Sequence, residues 1–285
     1  MNINNALVSI VIPCYNDKDY IEEAVNSALN QTYPNIEIII VDDGSNILTK
    51  KVLQSVKNDK IKLVEQENKG LSAARNMGIS ISKGDFILTH DADDIFDPFF
   101  IEKALSVLLK NEKVGVVTCG CIYFINKHQV IHRHMPEGGR LNSFLFKNNA
   151  LGNALFRKKC WEEAGGFDEK MKHGYEDWEF WISVTKNDWE VFVINEFLFN
   201  YRKKENSMLH IANKNYDLEN YSYVLKKHNE LYNENFGLVV DFLLNNALKY
   251  KINEEKRINS LDYRIGNKIL YPFRILKKYI KYFVN

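Results

Sequence analysis

Asp91-Ala92-Asp93-Asp94 sets three carboxylates in four positions, directly after His90 and the apolar run Phe86-Ile87-Leu88-Thr89. Such a run reads as a buried strand, so the acids stand at its carboxyl end, where open α/β sheets bind their ligands. Carboxylates one residue apart can converge on a hard divalent cation, which takes oxygen ligands and completes its shell with water or substrate phosphate. The same spacing suits a solvated acidic turn, so context decides. A second acidic pair, Asp42-Asp43, closes the β-branched run Ile36 to Val41 and is followed by Gly44-Ser45. A third run, Leu7 to Ile12, ends on Pro13-Cys14-Tyr15-Asn16. In a parallel sheet these three tips line one edge, where a nucleotide would lie.

Farther on, Glu176-Asp177 opens the aromatic-rich stretch through Trp181, which reads as a helix whose positive end favours anions. Asp177 there is either a helix cap or a proton acceptor. Arg75 follows Lys69-Gly70 on a predicted helix. It is a surface arginine satisfied by a nearby acid, a diphosphate ligand, or a fork that orients a carboxylate. His132 and His134 alternate on a predicted strand without zinc-like partners and read as hairpin surface or acceptor groove.

Val8 to Asn16, Gln31-Thr32-Tyr33-Pro34, Val41 to Ser45, Gly70 to Gly78, Gly84-Asp85, Asp91 to Asp94, Gly165 to Asp168 and Glu176-Asp177 form an ordered set. By these motifs the chain resembles a family 2 glycosyltransferase with the nucleotide-sugar-binding fold called GT-A. The resemblance implies an inverting enzyme built on a Rossmann-like mixed sheet flanked by helices. It implies a nucleotide-sugar donor bound by Pro13, Tyr15, Asn16, Asp42, Asp43, Arg75, Asp91 and Ala92. Asp43 would hydrogen-bond the base, Tyr15 stack on it, and Asp91 contact the ribose or a metal-bound water. Mn²⁺ or Mg²⁺ would be held by Asp93, with Asp91 and His210 as further ligands. Asp177, ahead of Glu176, would be the general base. Related enzymes carry a His where this chain has Lys204, which points Lys204 toward phosphate.

The elements that must position these residues follow from periodicity. Helical spacing is expected over Ile21 to Leu29, Leu71 to Ile79 and Phe99 to Leu109; further strands are expected at Ile61 to Val64, Val114 to Thr118 and Ile122 to Ile125. The expected division is a catalytic domain over 1–215, with a nucleotide-binding half to 110 and an acceptor half to 215, then a helical extension over 216–285. At 285 residues, 45% of them hydrophobic, the chain can bury a sizeable core. The four cysteines lack zinc or redox spacing. No signal-like segment opens the sequence and no apolar run reaches about eighteen residues, so a cytoplasmic protein is expected.

Residues 256–285 carry eight Lys or Arg against one Asp, net +7, and leave −6 for the remainder. Large apolar residues interleave with those cations, the composition of a segment that lies on an anionic membrane. Packing onto the catalytic domain or a second subunit is the alternative; no nucleic-acid motif accompanies the charge. The expected role is transfer of a sugar, from a UDP-sugar in the first instance, to a glycan or lipid-linked oligosaccharide in surface polysaccharide synthesis. A sugar-1-phosphate nucleotidyltransferase would open with a Gly-rich phosphate loop, and Val8 to Asn16 contains no glycine. A catalytically inactive sugar- or nucleotide-binding module is the other alternative, against which the joint presence of Asp43, Asp91, Asp93 and Asp177 argues.

Overall fold

A computed structural model describes residues 6–56, 58–126, 129–204 and 212–283. Its first 110 residues alternate strand and helix. The elements are β1 (Val8–Cys14), α1 (Ile21–Leu29), β2 (Ile36–Asp43), α2 (Ile47–Ser55), β3 (Ile61–Gln66), α3 (Leu71–Ser80), β4 (Phe86–Thr89), β5 (Ile95–Phe96) and α4 (Phe100–Lys110). Next come β6 (Val114–Asn126), β7 (Gln129–His134), α5 (Leu141–Phe144), β8 (Leu155–Arg157), α6 (Lys158–Ala164), α7 (Glu176–Thr185) and β9 (Glu190–Arg202). A π-helical turn, Ala212–Tyr216, leads into α8 (Asp217–Lys227).

Among the described residues one sheet runs in the order β3-β2-β1-β4-β8-β6-β9-β5, with β7 paired to β6. The strands β3, β2, β1 and β4 are mutually parallel, so their tips share one edge. Beyond β4 the sheet is mixed, because β8 is antiparallel to both β4 and β6 while β6 and β9 are parallel. Alternation along β2 sends Ile38 and Ile40 into the core that receives Ile21 and Val25 of α1, and Ile39 and Val41 onto Ala74 of α3. Strands buried on both faces are continuously apolar for this reason. Helix α3 lies close to the sheet at Gly78, where a Cβ would stand 2.4 Å from Val11 Cγ1.

Two expectations about strands are corrected. Val114 to Thr118 and Ile122 to Ile125 are one strand, β6, whose pairing with β9 shifts on either side of Gly120. That glycine admits Met135 and Phe197, since a Cβ would come within 2.6 Å and 2.7 Å of their side chains. Strand β9 was absent from the sequence reading, and it carries Tyr201 and Arg202 and delivers Lys204 to the site.

The chain divides into two compact units, Met1–Lys227 and His228–Asn285. Helix α8 belongs to the first: Lys227 pairs with Asp168 at 2.7 Å and with buried Glu179 at 2.9 Å. The second unit holds α9 (Asn229–Glu234), α10 (Phe236–Asn259) and α11 (Leu261–Phe283), which contains Pro272. Large apolar residues of α11, among them Ile269, Tyr271, Phe273 and Leu276, are exposed. Among the described residues no helix is long and apolar enough to cross a membrane.

Candidate functional site

The tips of β1, β2 and β4 open onto a cleft of 420 Å³ lined by Pro13, Tyr15, Asp43, Ala92, Asp93 and Lys204, among others. A second cleft of 480 Å³ is lined by Asn148, Gly152, Asp177, Trp178, Tyr123 and Tyr221, among others. Leu71, Asp91 and Tyr201 line both, so the two spaces meet at Asp91.

In the first cleft Tyr15 is 51% exposed, an open aromatic face at the end of β1. Asp43 accepts hydrogen bonds from Gln66 Nε2 at 2.7 Å and from the N–H groups of Lys69 and Gly70 at 2.8 and 2.9 Å. It thereby holds the loop before α3, where Gly70 takes φ 95°, a conformation that favours glycine. Asp42 and Asn16 do not line this cleft. Asp42 is buried with its carboxylate on Lys50 at 2.9 Å and on the Ser45 N–H at 2.9 Å, and adjacent strand residues face opposite sides. Asn16 accepts from the Asn46 N–H at 2.8 Å and donates its own N–H to Ser45 Oγ at 3.0 Å, which pins one loop to another.

Arg75 is the bridge between the clefts. It is 1% exposed, not a surface residue, and packs 5.3 Å from the Phe167 ring centroid. Its Nη1 donates to Glu176 Oε1 and its Nη2 to Asp91 Oδ1, both at 2.8 Å. Of the readings open for Arg75, orientation of carboxylates is the one the geometry matches; both terminal nitrogens are committed to protein acids. Burial alone would raise Asp91, but Arg75 and Asn153 hold its carboxyl below the ordinary value.

Asp177 stands in the first turn of α7, whose capping position is Tyr175 at φ 67°. Its Oδ1 accepts the following Trp178 N–H at 2.8 Å and its Oδ2 accepts from Asn148 Nδ2 at 2.8 Å. Burial and the neighbouring Glu176 charge push its carboxyl up to about 7, against the opposing pull of Arg75. Gly152 leaves room beside it, since a Cβ there would lie 3.1 Å from Asp177 Oδ2. Glu176, by contrast, is buried with its charge tied to Arg75. His134 lines the second cleft and His132 stacks on Tyr123 at 4.2 Å. Sequence reading missed Asn148 and Asn153, whose only signal was an asparagine-rich run, Asn148 to Asn153, between two elements.

The divalent-cation expectation meets a different donor set. Asp91 has Oδ1 on Arg75 and Oδ2 on Asn153 at 3.1 Å. Lys204 Nζ lies 2.6 Å from Asp93 Oδ2 and 2.9 Å from an Asp17 oxygen. Burial works against the Lys204 charge, but Asp93 and Asp17 outweigh it and raise its pKa above the ordinary lysine value. His210 lies outside the described residues. Among the described residues no three His, Cys, Asp or Glu side chains gather as a metal requires. A metal on the same Asp93 oxygen would stand at most about 4.7 Å from the ammonium, given the 2.6 Å ion pair and a bond of about 2.1 Å. The repulsion is on the order of 7 kcal/mol at an effective dielectric of about 20. The described donors therefore do not fit a divalent ion as they stand.

A family model described as glycosyl transferase family 2 matches residues 9–167, more than half of the chain. The chain belongs to glycosyl transferase family 2. Its fold is that of the GT-A members, a mixed sheet flanked by helices, followed by C-terminal helices. An uncharacterised glycosyltransferase of Rickettsia typhi is 34% identical over 197 residues, which cover 65% of this chain and 60% of that protein. Chondroitin synthase of Pasteurella multocida is 30% identical over 193 residues, 63% of this chain but 19% of the synthase. Among solved structures, S. aureus TarS 1-349 in complex with UDP-GlcNAc aligns with a TM-score of 0.60 at 21% identity, over 71% of this chain and 60% of that chain. The mannosyltransferase PcManGT from Pyrobaculum calidifontis, in complex with GDP-Man and Mn²⁺, aligns with a TM-score of 0.54 at 19% identity, over 70% of this chain and 58% of that one. These structural likenesses concern the fold. The family match ends before Glu176 and Asp177, so the reading of these two residues rests on their own geometry.

Proposed function

We propose that the protein is an inverting glycosyltransferase that moves a sugar from a nucleotide-sugar, a UDP-sugar in the first instance, to a hydroxyl of a glycan or lipid-linked oligosaccharide. The observation that carries this reading is the meeting of two clefts at Asp91, with an up-shifted Asp177 in one and an exposed Tyr15 and Asp43 in the other. The UDP-GlcNAc complex of TarS supports the choice of donor, and the chondroitin synthase relative supports a role in polysaccharide synthesis.

The chemistry follows from placement. The base stacks on Tyr15 and hydrogen-bonds toward Asp43, while Asp91, fixed by Arg75, orients the ribose. Asp177 takes the proton of the acceptor hydroxyl as its oxygen attacks the anomeric carbon. The bond to the diphosphate breaks on the opposite face, so the configuration inverts and one carboxylate at the reacting carbon suffices, unlike the paired acids of glycoside hydrolases. Tyr123 and Tyr221 in the walls of the second cleft offer apolar faces to an acceptor ring. The family and the Mn²⁺ of the Pyrobaculum structure suggest a divalent cation as the usual companion of such a donor. When bound, such an ion neutralises leaving diphosphate charge; the donors around Asp93 assign no step to it here. The cationic segment of α11 holds the protein at the anionic cytoplasmic membrane face, near a lipid-linked acceptor.

Screening UDP-, GDP- and dTDP-sugars for thermal stabilisation, followed by NMR of the product anomer, tests the proposal. One donor class should stabilise the protein and yield a product of inverted configuration. No stabilisation by any donor, or a retained anomer, refutes it.

A further inference from the structure

We infer that the Lys204 ammonium is the cation that binds the donor diphosphate in this protein, in the place a divalent metal would take. The inference rests on the reading of the first cleft as the donor site. Three features carry it. First, Lys204 is anchored: its Nζ sits 2.6 Å from Asp93, 2.9 Å from Asp17 and 5.1 Å from the Tyr20 ring centroid. Second, an ammonium has three N–H donors; two are committed to these acids and the third remains for a phosphate oxygen. Third, Lys204 lines the same cleft as Tyr15 and Asp43, so a nucleoside held between those residues extends its diphosphate within a space that already contains the charge. Lys69 and Lys172 also line that cleft, but among the described residues neither pairs with a carboxylate, so Lys204 is the lysine among them that protein acids hold in place.

The consequence for transfer balances without a metal. The anomeric C–O bond breaks with its electron pair left on the diphosphate, the acceptor oxygen forms the new bond, and the acceptor proton passes to Asp177. Lys204 keeps its own proton throughout and donates a hydrogen bond to the departing charge, as a charge-assisted pair does best in a partly desolvated cleft.

Calorimetry on the full chain tests this, with UDP, GDP and dTDP and the nucleoside of whichever binds. The affinity of the wild type should agree within about twofold between excess EDTA and millimolar Mn²⁺. Lys204→Met should weaken the diphosphate about tenfold or more, the size of one lost charged hydrogen bond, and leave the nucleoside within about twofold. Electron paramagnetic resonance of wild type with nucleotide and Mn²⁺ should show the ion free in solution, a readout that needs no variant to fold. Stoichiometric Mn²⁺ in the ternary complex, or a diphosphate affinity that collapses in EDTA, overturns the role of Lys204 while sparing the donor-site reading. Equal diphosphate affinity in Lys204→Met and wild type does the same. If none of the three nucleotides binds wild type, the donor-site reading falls and takes this inference with it.

Discussion

Asp177→Asn separates the chemistry of the candidate base from its cost to the fold. The Asp177 carboxyl stands at about 7 against an ordinary 3.8, a gap worth about 4 kcal/mol. Because the folded chain holds a proton there that the unfolded chain releases, the Asp177 contribution to stability is fully present below pH 3.8. It falls as pH rises toward about 7, and the loss is complete above that. Asparagine carries no charge, and its carbonyl oxygen can still accept from Asn148, now 2.8 Å from Oδ2. The variant should therefore match wild type near pH 4 and exceed it at pH 8. About 4 kcal/mol is the ceiling, since cleft water screens part of the charge, so a gain of several degrees in Tm is expected. Transfer should fall by about 10²–10⁴-fold with donor affinity retained, the usual size of lost general-base catalysis. Wild-type turnover should rise about tenfold per pH unit up to about 7 and then level, and the residual rate of the variant should not. Thermal unfolding across pH and transfer kinetics on the same samples provide the check. Wild-type turnover in the variant, or no stability gain at pH 8, refutes the reasoning.

Arg75→Met should cost about 3–5 kcal/mol in denaturant unfolding, because it strands Glu176 as a buried charge and takes the cation from half-buried Asp91; a loss below about 1 kcal/mol would mean the bridge matters little. Tyr15→Ala should weaken nucleotide binding by about 1–3 kcal/mol in calorimetry, as loss of base stacking does, and an unchanged affinity would remove the ring from the donor site. Replacing Arg264, Lys268 and Arg274 by Gln should reduce co-sedimentation with anionic vesicles about 10²-fold at low salt, at about 1 kcal/mol per charge. Equal sedimentation of variant and wild type would assign the segment to packing instead.

Strands β1, β2 and β4 were legible because both their faces are buried and the sequence shows it as largely apolar runs. Strand β9 was not, for its burial is irregular, with Phe192 and Phe197 exposed, and its partners β5 and β6 lie some way back along the chain. The two residues of β5 are too few for any period to register. Acids clustered in sequence, Asp43 and Asp91 to Asp93, could be found locally. Asn148 and Asn153 could not, since each is given its place by a partner 29 or 62 residues away. Asp42 differs again: alternation along a strand lets only one of Asp42 and Asp43 face the cleft, a constraint already present in the sequence.

The bond from Arg75 to Glu176 spans 101 residues, and the strand order interleaves the two ends of that span. Strand β8 inserts between β4 and β6, while β5, from the early part of the chain, closes the far edge against β9. Neither cleft can therefore be cut out and grafted elsewhere as a cassette: a chimera joined near residue 110 would strand a buried guanidinium on one side and leave unpaired strand edges on the other. New acceptor preferences would have to be acquired by substituting single side chains of the second cleft, such as Phe146, Lys147 and Leu151 in the irregular stretch 145–153 beside Asp177, with Asn148 and Asn153 kept to hold Asp177 and Asp91.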